Sequence, residues 1–154
     1  ENDEVLGTIT RKEAHDGSKK IHRSIHIFVF HPDGRILLQK RSMKKDTDPG
    51  KWALSVGGHV KYGQTYEEAA IRELKEELGI KTTLDFVSKD IYGGKIEREI
   101  SSGFRATINF LPEKFDKDEI DEVVWFSKPE VSEFYIQDKI ADSTVVALKA
   151  INYI

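Results

Sequence analysis

The stretch Gly58–Ile80, GHVKYGQTYEEAAIRELKEELGI, decides how this chain is read. Within it Thr65–Leu78 has helical periodicity with both ends marked. Thr65 followed by Glu68 is a capping box, and Gly79 stands where a left-handed C-terminal residue belongs. At about 100° per residue, Ala70, Ile71, Leu74 and Leu78 are expected to face a core. Glu73, Glu76 and Glu77 are expected on the opposite side, with Arg72 beside Glu76. Three carboxylates within one turn repel each other, and their oxygens can share a hard cation. Mg²⁺ takes oxygen ligands and completes its shell with water and phosphate. A solvated Glu/Lys face has the same composition, so the helix alone does not separate the two readings.

Upstream, Val5–Thr10 alternates weakly, as an edge strand would, and Ile21–Phe30 (IHRSIHIFVF) has the β-branched and aromatic content of a buried strand. His31-Pro32-Asp33-Gly34 reads as a turn into a second strand, Arg35–Arg41, so the pair forms a hairpin. Ser42–Lys51 is a polar loop, and Trp52–Val56 a short strand running into Gly57-Gly58. Downstream, strands are expected near Thr83–Ile91, Glu97–Leu111 and Glu122–Phe126. Ser127 with Glu130 caps a short helix, and Asp142 or Ser143 caps a last one through about Asn152. Mixed strands and few helices in 154 residues point to one α/β (α+β) sandwich domain, residues 1–154.

The chain has no cysteine, which excludes disulfides, thiolate metal sites and thiol nucleophiles. Charged residues make up 33% and the formal net charge is −3, giving no field that would recruit nucleic acid or an anionic membrane. No apolar run approaches the roughly 18–20 residues that span a bilayer. A cytoplasmic protein with a small-molecule partner is the expectation, and a homodimer is compatible with it.

The segment Gly58–Ile80 resembles the Nudix (MutT-like) box, G-x5-E-x7-R-E-U-x-E-E-x-G-U, where U is a bulky apolar residue. Gly58 opens it, and Arg72-Glu73-Leu74-Lys75-Glu76-Glu77-Leu78-Gly79-Ile80 closes it at the family spacing. Gln64 departs from the pattern, replacing its first Glu. The resemblance implies a Nudix α/β/α sandwich with the box as strand–loop–helix. It also implies Glu73, Glu76 and Glu77 as ligands of Mg²⁺ (or Mn²⁺), one of them a candidate base, and Arg72 as the residue that orients a carboxylate. Gln64 keeps the hydrogen-bonding reach of Glu but cannot carry its charge.

Over roughly residues 1–126 the chain is also similar to the isopentenyl diphosphate isomerase branch of that family. The shared features are Asn2-Asp3-Glu4-Val5-Leu6-Gly7, His15, His22, Pro49-Gly50-x-Trp52 and Ser55-Val56-Gly57-Gly58-His59. This resemblance implies a second metal site at His15, His22, His59, Glu97 and Glu99, whose mixed ligands also suit Mn²⁺, Zn²⁺ or Fe²⁺. It implies that Arg41 and Lys45, beside Gly57 and Gly58, hold the diphosphate; Arg can do so with bidentate geometry. The isomerase also needs a cysteine for proton transfer, and Gly57 stands in its place. Isomerisation of an alkene takes two positioned acid/base groups, of which only Glu99 has a counterpart. The intact Glu73/Glu76/Glu77 helix favours instead a hydrolase cleaving a diphosphate linkage in a nucleoside diphosphate derivative or a related substrate. The alternatives are an isomerase-like enzyme and a non-catalytic diphosphate-sensing module.

Overall fold

The computed structural model describes residues 2–93 and 98–154. A sheet of seven strands forms the centre: β1 (Ile21–Phe30), β2 (Ile36–Arg41), β3 (Trp52–Ala53), β4 (Val56–His59), β5 (Asp85–Gly93), β6 (Arg98–Thr107) and β7 (Ile120–Phe126). The path runs β3-β2-β1-β6-β5, with β4 on β1 and β7 on β2. The long β1–β6 pair is parallel and the other ladders are antiparallel.

Strand alternation divides β1 between two cores. Ile25, Ile27 and Val29 pack with Ala70, Leu74 and Leu78 of α2 (Tyr66–Leu78). Phe28 and Phe30 pack on the other face with Val131 of α3 (Lys128–Ile136) and Leu148 of α4 (Asp142–Ala150). The result is the expected α/β/α sandwich. No described helix is long and apolar enough to cross a membrane.

Three expected element boundaries need correcting. Val5–Thr10 forms no strand; it leads into a short helix, α1 (Arg11–Ala14), capped by Thr10 and Glu13. Trp52–Val56 is not one strand but two, broken at Leu54-Ser55. The Ser55 hydroxyl accepts from Val29 N–H at 2.9 Å and donates to Leu37 carbonyl at 2.6 Å. It therefore bridges β1 and β2 where they separate, and the chain passes from pairing β2 to pairing β1. The last helix takes Ala141 as its N-cap and ends at Ala150.

Candidate active site

The central helix forms where its caps require. Thr65 and Glu68 complete the capping box, and Gly79 adopts φ 66°. Gly79 N–H reaches Lys75 carbonyl and Ile80 N–H reaches Leu74 carbonyl, closing the last turn. Its orientation differs from the wheel expectation. Ile71 is 51% exposed, whereas Ala69 is fully buried. With Ala69 in the inner arc, Glu73 and Glu77 fall between Ala69 and Ala70 at about 100° per residue. Those two carboxylates lie at the margin of the core, and only Glu76 faces outward.

Arg72 ties this arrangement together. Its Nη1 donates to Glu73 Oε1 at 2.7 Å and to Glu76 Oε2 at 2.9 Å, and its Nη2 donates to the His59 carbonyl at 2.9 Å. Its Nε lies 3.4 Å from Gln64 Oε1, which also accepts from Lys61 N–H at 3.2 Å. Gln64 thus serves as an acceptor without charge. Glu77 accepts from Gln39 Nε2 at 3.1 Å. Burial pushes the Glu77 carboxyl up to about 8, and the charges of Glu73 and Glu119 add to the effect.

The histidines gather on the opposite face of the sheet. The ladders set Ser24 opposite His59 and His22 opposite Glu99, so these side chains share a face. His15 joins them from the C-cap of α1. Ligand atoms of His15, His22 and His59 all lie within 4.8 Å of one another; no other such group of three occurs among the described residues. His15 Nε2 and His59 Nε2 are 3.2 Å apart. Two imidazoles sharing one tetrahedral ion, with metal–nitrogen bonds of about 2.0–2.1 Å, sit at about that separation. His22 Nε2 lies 3.1 Å from Glu99 Oε1, and Ser24 Oγ donates to Glu99 Oε2 at 2.7 Å. Burial would raise the Glu99 carboxyl, but these hydrogen bonds outweigh it and hold it at about 2. Burial also pushes His59 down to about 4, keeping its ring neutral and available as a ligand. Glu97 lies outside the described residues.

Both groups border one cleft of about 1420 Å³, which Gly57, Gly58, Arg41 and Lys45 also line. A Cβ on Gly57 would meet nothing closer than His26 Cδ2 at 3.8 Å, so the position is open. Arg41 donates to the Thr47 carbonyl and hydroxyl, both at 2.9 Å, and Lys45 pairs with Glu119. The donor chemistry fits two kinds of ion. Glu73, Glu76 and Glu77 offer only oxygen, as Mg²⁺ prefers; the histidine group offers nitrogen with one nearby carboxylate. The histidines are assembled more tightly than the carboxylates, although the box is the stronger sequence signal.

Sequence reasoning missed Gln39, Glu119 and Arg11, all of which line the cleft. Arg11 had a signal: Thr10-x-x-Glu13 is the same capping pattern as Thr65-x-x-Glu68. Gln39 meets the site through strand β2, and Glu119 through the turn that precedes β7.

Residues 20–147 match the family model described as the NUDIX domain. The chain belongs to the Nudix family. An isopentenyl-diphosphate Delta-isomerase from Streptomyces griseus is 31% identical over 140 residues, covering 86% of this chain and 71% of that protein. Among solved structures, a Deinococcus radiodurans protein superposes with a TM-score of 0.80 at 23% identity, covering 96% of this chain and 93% of its own. A MutT Nudix hydrolase from Burkholderia pseudomallei superposes with a TM-score of 0.68 at 23% identity, covering 86% of this chain and 99% of its own. At these identities the two structures show a shared fold and nothing finer.

Proposed function

We propose that this Nudix chain is a Mg²⁺-dependent hydrolase, cytoplasmic, that cleaves the diphosphate linkage of a nucleoside diphosphate derivative or related small molecule. The observation that carries the reading is an intact Glu73–Glu76–Glu77 helix in the same cleft as Gly57, a position with no side chain to donate a proton. A divalent ion held by these carboxylates would neutralise phosphate charge and polarise the bond being broken. Arg72 fixes Glu73 and Glu76 in place. Glu76, with a side chain 54% exposed, faces the water of the cleft and would take a proton from the attacking water. Arg41, Lys45 and Arg11 supply positive charge for the substrate's phosphates. His15, His22, His59 and Glu99 form a second ion site suited to Mn²⁺ as well as Mg²⁺.

The test is phosphate release from a panel of diphosphate compounds in Mg²⁺. Glu76→Gln with Glu77→Gln should lower the rate by roughly 10²–10⁴-fold. A double variant as active as the parent sinks the assignment.

A second reading, isomerisation of isopentenyl diphosphate, is favoured by the assembled histidines and by the 31% identical relative. It requires deuterium from heavy water to enter the allylic carbons. The Gly57 position leads us to expect none.

A further inference from the structure

Lys45 already holds an anion in the cleft. Its Nζ pairs with the Glu119 carboxylate, and the two side chains differ in freedom: Lys45 is 15% exposed, Glu119 46%. The loop carrying Lys45 is fastened to the same segment without that pair. Ser42 N–H donates to the Glu119 carbonyl at 3.0 Å, and Lys44 Nζ reaches Asp118 Oδ1 at 2.7 Å. The Glu119 side chain can therefore swing into water while Lys45 and its loop stay in place. Arg41 offers a contrast, since the groups it hydrogen-bonds, the Thr47 carbonyl and hydroxyl, carry no charge.

We propose that Glu119 is the resident counterion of Lys45 and that an anionic ligand enters the cleft by displacing it. The pair then sets a charge threshold. A neutral group gains nothing at Lys45, and a single carboxylate only exchanges like for like. A diphosphate, with charge spread over several oxygens, outcompetes Glu119 and sends its carboxylate into solvent. Glu119 is in this sense a specificity-determining residue of the diphosphate site described above, and the inference rests on that reading.

The experiment measures binding of methylenediphosphonate, a non-hydrolysable P–C–P diphosphate analogue, by titration calorimetry in Mg²⁺. Four proteins are compared: the parent, Glu119→Gln, Lys45→Met and the double variant. The half-exposed Glu119 side chain makes its substitution mild for the fold, and thermal unfolding of each protein checks this. Removing the competing charge should tighten binding by roughly 5- to 30-fold, the range for a partly shielded ion pair. In the Lys45→Met background the same substitution should change binding less than about 2-fold. Unchanged or weaker binding by Glu119→Gln overturns the proposal, as does an equal gain in both backgrounds, which would mean a general field effect. If none of the four proteins binds the analogue, the diphosphate reading itself fails and takes this proposal with it.

Discussion

The carboxylate of Glu73 occupies the space that a side chain on Gly58 would fill. A Cβ built on Gly58 would stand 2.5 Å from Glu73 Oε1, inside any tolerable contact. The first Gly of the box is thus required by the Glu of its Arg72-Glu73 pair, because strand β4 must approach helix α2 closely enough for Arg72 to reach the His59 carbonyl. The neighbouring Gly57 has no such constraint.

Two glycine substitutions should therefore separate cleanly. Gly58→Ala pushes Glu73 out of register and should cost about 1–3 kcal/mol of stability, with a larger loss of phosphate release. Gly57→Ala should leave stability within about 0.5 kcal/mol. Urea unfolding of both variants checks the contrast, and equal costs would contradict the geometry.

Glu77 predicts a pH-dependent stability in chelator. Its folded-state carboxyl holds a proton up to about 8, against 4.5 in the unfolded chain. Below pH 4.5 both states carry the proton; between 4.5 and 8 only the folded state does. Its contribution is therefore fully present below 4.5 and lost as pH rises toward 8, at no more than about 1.4 kcal/mol per pH unit. The difference between the parent and Glu77→Gln should show this slope. Divalent-ion binding should also release a proton near pH 7, measurable as a buffer-dependent heat.

The histidine group should bind a transition metal independently of the box. Zn²⁺ or Mn²⁺ at about 100 times its dissociation constant should stabilise the protein by about 2.7 kcal/mol. His15→Ala or His22→Ala should abolish that thermal shift, and Glu76→Gln should not. A shift insensitive to the histidines would place the ion elsewhere.

Ser55 is fully buried and joins β1 to β2 through one hydroxyl. Ser55→Ala strands an N–H and a carbonyl, and should cost about 1–3 kcal/mol for each group left unpaired. Chemical denaturation gives the value directly.

The parts of this fold legible in the sequence are those written locally. Thr65, Glu68 and Gly79 mark the ends of α2 within a few residues of themselves, and the caps agree with them. Thr10 and Glu13 carry the same signal for α1. The inward face of α2 was harder to read, because apolar residues alone suggest Ile71 and omit how little space Ala69 needs. The break at Ser55 depends on Val29 and Leu37, which no local pattern connects to it. Likewise Lys45 and Glu119 lie 74 residues apart and meet through tertiary structure. The histidine set illustrates both cases: family likeness picks out its members, but the β1, β4 and β6 registers bring His22, His59 and Glu99 to one face.

His59 contributes to both sides of the cleft through different atoms. Its ring joins His15 and His22, while its main-chain carbonyl seats Arg72 above Glu73 and Glu76. Every amino acid has that carbonyl. Evolution can therefore replace the imidazole at position 59 without unseating the acidic helix. One side of the cleft is free to drift while the other keeps its footing.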